Sequence, residues 1–341
     1  MSDIQPGPSR ARSVDVARLA GVSQAAVSRA FRPGGSISAK TLQKVMTAAA
    51  QLNYVPNSMA RSLSTRQSNT VALLIGDLHN PFYATALDSF SVELQKLDKQ
   101  ILLFNAPRAG DLDGAILRML EYQVDGIVIT PATVSSRMTA LCLDRGIPVV
   151  MFNRFIPGLS VSSVSCDNVA GGVLAAQTLV RSGGARFALI TGGADTTTNR
   201  DRVNGFERGL LAAGVDIRQL LTRPGDYTYD GGYRAARSLL SSAQRPDALF
   251  CTNDIMALGA IDAARDLKIA IPDDVAVVGF DDIPDAARSA YRLTTLRQPL
   301  NLMVREALTL LLAEEAVPTV RVVKPRLVAR QTTRSQEETI P

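Results

Sequence analysis

The chain has 341 residues, with 37 Lys and Arg, 32 Asp and Glu, and 46% hydrophobic residues. This length allows two or three domains with a sizeable core, and the composition excludes a collagen-like or intrinsically disordered protein. The longest apolar runs, such as VALLI from Val71, are much shorter than the roughly 20 apolar residues that cross a bilayer. The N-terminus also has no apolar segment typical of a secretion signal, so we expect a cytoplasmic protein without a membrane partner.

The positive charge is concentrated in the first fifth of the chain. Residues 1–69 contain nine Lys or Arg and two acidic residues, a net charge of +7, whereas the rest contains 28 Lys or Arg and 30 acidic residues, a net charge of −2. This asymmetry is typical of a small module that contacts a polyanion such as nucleic acid, and a solvated basic surface is the alternative.

The first two elements are predicted to be short helices joined by the turn GVS. Ser13 can cap a helix whose first turn carries Asp15, and Gly21 can end it in the left-handed conformation. Ser23 can then cap a second helix that begins at Gln24. Two helices joined by a three-residue turn with Gly are typical of a helix-turn-helix. The residues expected to face inward are Val14, Val16, Ala17, Ala20, Val27 and Phe31.

The opposite face of the second helix carries Gln24, Ala25, Ser28 and Arg29. Gln can pair with adenine, Arg can pair with guanine, and Ala can approach a thymine methyl in the major groove. An amphipathic hairpin inside a core would also need a Gly corner. The basic charge of the region favours the DNA-binding interpretation.

A third helix is predicted after the cap Ser38, and Pro56 follows its end. Its apolar face is expected to contain Leu42, Val45, Met46, Ala49 and Leu52. Asn57 can cap a further short helix, residues 58–63, before a polar run to Thr70.

From Val71 onward, short apolar runs alternate with helical stretches. This alternation predicts parallel sheets covered by helices, an α/β fold. The predicted strands are VALLIG, ILLF, GIVIT, VVMF, FALITG, ALFCT and VAVVGF. In such sheets a ligand binds beyond the carboxyl ends of the strands.

Polar and aromatic residues follow these strands and suit a small hydroxylated ligand. Asn80, Asp167 and Asp254 could instead be simple helix caps, and His79 is expected at the pocket rim. We expect no metal site or cofactor, and the three cysteines, Cys142, Cys166 and Cys251, are expected to be buried. The candidate ligand contacts are Asp77, Asn80, Phe82, Asn153, Arg154, Arg200, Arg202, Tyr227, Asn253 and Asp281.

The motifs DVARLAGVSQAAVSRAF and LNYVPNSMARSL resemble the DNA-binding head and hinge of the lactose and galactose repressor family. The resemblance implies that Gln24, Ala25 and Arg29 read bases and that Ser23 and Asn57 meet phosphates or groove edges. It makes residues 57–63 a hinge helix in which Leu63 is a minor-groove wedge, although Leu63 could also pack against its own domain. Two departures are Arg12, where the family often has a capping Thr, and the Gly- and Pro-rich loop RPGGS.

Further motifs resemble the family's core, which is similar to periplasmic sugar-binding proteins: DLHNPFY, SCDNVAGG, NRDRVNGF, CTNDIMALGA, VAVVGFDDIP and LTTLRQPL. By this resemblance Arg202, Asn253 and Asp281 are the main effector contacts and Tyr227 is an aromatic platform. Residues 80–82 lie on the facing lobe. Arg154, Arg200 and Arg202 together could hold an anion, so a sugar, polyol, sugar acid or sugar phosphate all remain open.

The resemblance also implies the domain organisation. Residues 1–56 form the helix-turn-helix domain, 57–69 the hinge, and 70–341 a two-lobed effector-binding and dimerisation core. Lobe 1 is expected at about 70–166 and 296–322, and lobe 2 at about 167–294 and 323–335. The chain is expected to cross between lobes near 166–167, 294–296 and 321–324. It lacks the added heptad helix that forms tetramers in some members, so a homodimer is expected.

The expected function is a sequence-specific transcription regulator, most often a repressor in this family, that binds an operator in double-stranded DNA under the control of a small effector. A solute-binding protein for carbohydrates would share the core, but the basic head and the lack of a signal segment argue against it. An enzyme is not expected, because no GxGxxG, phosphate loop, GxSxG or metal-ligand spacing is found.

Overall fold

The computed structural model describes residues 11–31, 34–56, 68–105, 112–130, 136–155, 158, 160–193, 196–313 and 317–334. The chain separates into two compact units, residues 1–68 and 69–341. The predicted hinge helix, with Asn57 and Leu63, lies outside the described residues. Among the helices described, none is both long and apolar enough to span a membrane.

The first unit contains the predicted helix-turn-helix: α1 (Ser13–Ala20), α2 (Gln24–Ala30) and α3 (Ala39–Gln51). Helix α1 ends at Gly21, whose φ of 64° is left-handed, and Ser23 Oγ accepts a hydrogen bond from the Ala26 amide at 3.2 Å. Ser38 Oγ accepts from the Thr41 amide at 3.2 Å. The predicted caps at Gly21, Ser23 and Ser38 are therefore confirmed.

The start of α1 differs from the prediction. Ser13 is the first helical residue and Arg12 occupies the cap position, with Asp15 Oδ2 accepting from the Arg12 amide at 2.9 Å. A carboxylate in the first turn can satisfy this amide, so the helix begins without a capping hydroxyl. Ser13 Oγ instead accepts a hydrogen bond from Gln24 Nε2 at 2.8 Å.

A small apolar core joins the three helices. It contains Val16, Ala17, Ala20, Val27, Val45, Ala48 and Ala49, with Phe31 and Leu52 partly buried against it. Val14, Leu42 and Met46 were predicted to face inward but are exposed, Met46 by 47%. Three short helices bury only a narrow strip of their apolar faces against one another, so apolar residues at the edge of each face remain exposed to solvent.

The second unit alternates strands and helices, as the apolar runs predict. Its helices are α4 (Pro81–Lys96), α5 (Leu112–Glu121), α6 (Ser136–Asp144), α7 (Asn168–Arg181), α8 (Thr197–Ala212), α9 (Tyr229–Leu240), α10 (Asp254–Asp266) and α11 (Leu300–Leu311). Its strands are β1 (Thr70–Ile75), β2 (Gln100–Asn105), β3 (Gly126–Ile129), β4 (Val149–Phe152), β5 (Ser162–Cys166), β6 (Phe187–Thr191), β7 (Leu221–Pro224), β8 (Ala248–Cys251), β9 (Ala276–Asp281), β10 (Thr294–Arg297), β11 (Val320–Val323) and β12 (Arg326–Val328).

These strands form two six-stranded sheets, one in each lobe. The first has the order β11-β5-β4-β3-β1-β2 and is parallel throughout. The second has the order β12-β10-β9-β8-β6-β7 and is parallel except for the edge strand β12. Cys142, Cys166 and Cys251 are all buried, as predicted.

The chain crosses between the lobes three times, and one crossing differs from its expected position. The first follows Cys166, as expected. Strand β10 pairs with β9, so the second crossing lies after Arg297 rather than at 294–296. Strand β11 pairs with β5, so the third crossing lies at residues 324–325, at the end of the expected segment 321–324. Strand β10 continues to Arg297 because its backbone groups still pair with those of β9 there.

Candidate functional site

The candidate DNA-binding residues lie on one exposed face of α2. Ser23, Gln24, Ala25, Ser28 and Arg29 are exposed, whereas Ala26 and Val27 on the same helix are buried in the head core. With one Nε2 hydrogen donated to Ser13, Gln24 keeps one N–H and its Oε1 for another partner. This face can therefore present both donors and acceptors to the edge of a base pair.

In the larger unit, Arg202 lies at the centre of a buried polar cluster and is only 2% exposed. Its Nε donates to Asn168 Oδ1 at 2.9 Å, Nη1 donates to the Thr252 carbonyl, and Nη2 donates to Asp281 Oδ1 at 3.1 Å. The guanidinium carbon lies 3.7 Å from the centroid of the Phe280 ring. Every nitrogen of this guanidinium therefore already has a protein acceptor, and its charge is compensated by Asp281.

The position of Arg202 depends on close packing between α7 and α8. A Cβ on Gly172 would lie 2.3 Å from the Arg202 carbonyl oxygen, and a Cβ on Gly205 would lie 2.1 Å from the Val169 carbonyl oxygen. No side chain fits at either contact, so the two glycines set the distance between the helices. They thereby place the first turns of α8 against the start of α7.

Asp281 ends strand β9 with a φ of 120°, a region that residues other than Gly rarely occupy. Its Oδ1 also accepts a hydrogen bond from Gln298 Nε2 at 2.7 Å. Burial raises the pKa of this carboxyl, while Arg202 and Gln298 act in the opposite direction. The carboxylate is thus stabilised by its two partners against the cost of burial.

Two buried asparagines each have a side-chain polar atom with no hydrogen-bond partner among the described residues. Asn253 caps α10, with Oδ1 accepting from the Met256 amide at 3.1 Å, and its Nδ2 has no acceptor. Asn153 has a left-handed φ of 65°, and its Oδ1 has no donor. The Thr198 hydroxyl of the second lobe donates to the Asn153 carbonyl of the first at 3.2 Å, so the lobes are in contact here.

Tyr227 is half-buried and lies over the end of β6. A Cβ on Gly192 would lie 2.0 Å from Tyr227 Cζ, so only Gly leaves room for this ring. The Gly192 amide donates to Asn199 Oδ1 at 2.7 Å and to Thr252 Oγ1 at 2.9 Å. Burial raises the pKa of the Tyr227 hydroxyl, which keeps it neutral and available as a hydrogen-bond donor.

A cavity of about 480 Å³ lies between the carboxyl ends of the first sheet's strands and the second lobe. It is lined by three of the predicted residues, Asp77, Asn80 and Tyr227, and by His79. It also contains Asn105, which directly follows the predicted strand ILLF and was not selected from the sequence.

Three other predicted contacts have different surroundings. Arg200 is on the exposed side of α8, with 61% of its side chain accessible, and pairs with Asp201 at 3.7 Å. Arg154 Nη2 donates to the Tyr83 hydroxyl at 2.9 Å. Phe82 is buried in the hydrophobic core. The structure therefore does not gather Arg154, Arg200 and Arg202 into one cluster of free guanidinium groups.

The residues considered as helix caps divide as follows. Asn80 Oδ1 accepts from the Phe82 amide at 3.0 Å and Asp167 Oδ1 from the Ala170 amide at 2.9 Å, so both are caps. Asp254 is not a cap, because Asn253 holds that position.

Asp254 is instead fully buried behind the polar cluster. Its Oδ2 accepts from the Ile283 amide at 2.9 Å and its Oδ1 from the Thr295 hydroxyl at 2.5 Å. Burial and the nearby Asp281 charge raise its pKa to about 7.

Sequence reasoning missed four residues that support the cluster: Asn168, Asn199, Thr252 and Gln298. Thr252 and Gln298 come directly after strands β8 and β10, where the rule for ligand sites would have found them. Asn168 and Asn199 are in the first turns of helices, and no local pattern distinguishes them from solvated polar residues.

Two family models match the chain. Residues 14–57 match bacterial regulatory proteins of the lacI family, and residues 176–333 match a periplasmic binding protein-like domain. The HTH-type transcriptional regulator CelR of Thermobifida fusca is 34% identical over 327 residues, covering 93% of this chain and 96% of CelR.

Solved structures have the same fold. The transcriptional regulator CelR in complex with cellobiose aligns with a TM-score of 0.69 and 32% identity, covering 95% of this chain and all of that one. The lac repressor dimer bound to operator and the anti-inducer ONPF aligns with a TM-score of 0.86 and 26% identity, covering 96% of this chain and all of that one. Both units of the present chain are thus similar to regulators of known fold.

Proposed function

Because the chain belongs to the LacI family of bacterial regulatory proteins and is a DNA-binding transcriptional regulator, we propose that it is a dimeric repressor controlled by an uncharged polyhydroxy ligand, a sugar or polyol. Members of this family are transcriptional regulators rather than enzymes. The dimer and the operator are supported by the lac repressor structure, and the ligand class by the CelR complex with cellobiose. We place its action in the cytoplasm, where its DNA is found.

The proposed operator contacts are the exposed residues of α2. Arg29 reads guanine, Gln24 reads adenine, and Ala25 approaches a thymine methyl, with Ser23 and Ser28 beside them. The basic charge of residues 1–69 contributes affinity for phosphates without sequence preference. Asn57 and Leu63 remain proposed contacts of the hinge with the minor groove.

The proposed effector site lies between the lobes, around Arg202, Asp281, Asn153 and Asn253. The observation that carries the choice of an uncharged ligand is the pairing of Arg202 with Asp281: the buried carboxylate compensates the guanidinium charge and would repel an anion, and three of the five N–H groups are already donated to protein acceptors. Asn253 Nδ2 needs an acceptor and Asn153 Oδ1 needs a donor. A hydroxyl group supplies both, whereas a carboxylate or phosphate oxygen supplies only an acceptor.

Control of DNA binding follows from the position of the site between two lobes. The Thr198 to Asn153 hydrogen bond and the ligand both join the lobes, so the ligand favours the arrangement in which both contacts are made. The effect on operator affinity is limited to the difference in ligand affinity between the two arrangements.

The test uses the full-length protein and the variant Asn253→Ser. Serine retains a capping oxygen for α10 but removes the Nδ2 donor. Thermal-shift measurements are made with neutral sugars and polyols, each beside its acid and its phosphate, and operator binding is then measured by fluorescence anisotropy. A neutral compound is expected to raise the melting temperature, because it binds the native state.

Asn253→Ser is expected to weaken binding of that compound by about tenfold and to leave operator affinity without ligand unchanged. Asn204→Ser, on α8 and outside both described cavities, is the matched control. Stabilisation by anionic compounds alone would contradict the ligand class. Equal affinity for every genomic fragment, with or without ligand, would contradict the regulatory function.

A further inference from the structure

A second cavity, of about 550 Å³, lies where the chain passes between the lobes. Its walls include Thr85 on α4 and the first turns of α11 in the first lobe, and Arg297 and Arg326 in the second lobe. We call it the hinge cavity. Because both lobes line it, a molecule bound there contacts both sides of the crossing.

The hinge cavity adjoins the proposed effector site at Asp281 but is otherwise lined by different residues. Arg202, Asn253 and Tyr227 do not line it, and of the residues predicted from sequence only Phe82 and Asp281 do. Neither it nor the 480 Å³ cavity shares a lining residue with the other. The two spaces can therefore hold different ligands.

Three arginines line the hinge cavity: Arg297, Arg305 and Arg326. Arg297 Nε is 2.5 Å from Asp282 Oδ2, and Asp282 Oδ1 is also 2.6 Å from Arg330. The Asp282 charge is thus already shared by two guanidinium groups. The side chains of Arg305 and Arg326 are exposed and form no ion pair or hydrogen bond with any residue that the structure describes. The cavity therefore has an excess of positive charge.

Two neighbouring groups also determine which ligand the cavity can bind. Helix α11 begins at Leu300, which lines the cavity, so the positive end of the helix dipole is near the cavity. No side chain caps this end of the helix. Gln298 lines the cavity and is 3% exposed. Its Nε2 donates a hydrogen bond to Asp281 Oδ1, whereas its Oε1 has no donor among the described residues. An acceptor of this kind requires a hydroxyl or N–H on the ligand.

We propose that the hinge cavity is a second ligand site, for a small anion that also bears a hydroxyl group, such as a hydroxylated phosphate ester. Arg305 and Arg326 bind the anionic group through charge-assisted hydrogen bonds, and Gln298 Oε1 accepts from the hydroxyl. Because the site spans the lobes, its occupation changes the lobe equilibrium and the operator affinity, independently of the neutral effector.

The experiment titrates the full-length protein with sn-glycerol 3-phosphate by isothermal calorimetry, with glycerol and inorganic phosphate as component controls. Saturable binding of one molecule per chain is expected. Arg305→Gln with Arg326→Gln is expected to weaken it at least about tenfold, because two charge-assisted contacts are lost. Arg208→Gln with Arg234→Gln, two exposed arginines outside the cavity, is the control with the same change in charge and is expected to bind as the wild type does.

Asn253→Ser is also expected to bind glycerol 3-phosphate normally. The proposal is overturned if no saturable binding occurs or if both double variants lose affinity equally. It is also overturned if Asn253→Ser abolishes binding while the Arg305 and Arg326 double variant retains it. Operator affinity that does not change at saturating glycerol 3-phosphate would overturn the proposed effect on the lobe equilibrium.

Discussion

Arg29 is proposed to read guanine in the operator. It is exposed on α2, and a guanidinium can donate two hydrogen bonds to guanine O6 and N7. Arg29→Ala is therefore expected to reduce the preference for the cognate operator over random DNA by about 1–3 kcal/mol. Competition binding by fluorescence anisotropy measures this difference. An equal loss on both DNAs would identify Arg29 as a phosphate contact instead.

Asp254 is expected to make the stability of the protein depend on pH. Its pKa in the folded protein is about 7, above the usual value of 3.8, so between roughly pH 4 and 7 the folded state binds more protons than the unfolded state. The contribution of Asp254 to the free energy of unfolding is therefore complete below about pH 4 and is lost as the pH rises through 7.

Asp254→Asn removes this titration. Asparagine can still accept from the Ile283 amide and can donate to the Thr295 hydroxyl oxygen, so folding is expected to be retained. From pH 5 to 8, the wild type is expected to lose more stability than the variant, by on the order of 1 kcal/mol or more. Urea unfolding at several pH values measures the difference, with the exposed Asp230→Asn as control. Parallel pH profiles for wild type and Asp254→Asn would refute the assignment.

At the scale of elements, the contact between α7 and α8 positions Arg202, which lies at the proposed effector site. Gly205 lies one turn after Arg202, and its Cα meets the Val169 carbonyl without room for a Cβ. Alanine there must push the helices apart, while α7 carries Asn168, which accepts a hydrogen bond from Arg202. The same change thus affects helix packing and the orientation of the guanidinium.

Gly205→Ala is expected to lower the free energy of unfolding by about 1–3 kcal/mol and to weaken effector binding as well. Denaturant unfolding and ligand titration measure the two effects. Arg208→Ala, on the exposed side of the same helix, is expected to change neither. Unchanged effector affinity in Gly205→Ala would show that the polar cluster does not depend on this contact.

At the scale of the whole molecule, the two units have separate hydrophobic cores and different net charges. The head core is formed by small apolar residues of α1, α2 and α3, and the excess positive charge of the chain is within residues 1–69. The larger unit has its own cores on both sheets and is slightly acidic over its length. The proposed contacts with DNA phosphates and the proposed small-ligand sites therefore lie in different units of the chain.

The three crossings between the lobes are the part of the larger unit where a small ligand can have the greatest effect. The proposed effector site is supported by Asn168, which lies just after the first crossing, and by Gln298, which directly follows β10. The hinge cavity takes Arg305 and Arg326 from beyond the second and third crossings. The two proposed ligands would therefore bind on either side of Asp281 and act on the same hinge.

Local signals in the sequence were sufficient for much of the fold. The caps at Gly21 and Ser23 and the seven predicted strands depend on residues that are close in the chain, and these predictions are confirmed. The motifs also identified the family. They could not place the crossing after Arg297, because a strand continues for as long as its neighbour offers backbone partners.

The sequence by itself determined the two units, the helix-turn-helix and the alternating α/β order, because capping, apolar periodicity and charge are properties of short segments. Only the tertiary structure decided which polar groups meet. Arg202 finds its acceptors at Asn168, Thr252 and Asp281, positions up to 79 residues apart in the chain. The burial that raises the pKa of Asp254 and the exposure of Arg200 depend on the same long-range packing, which no local pattern contains.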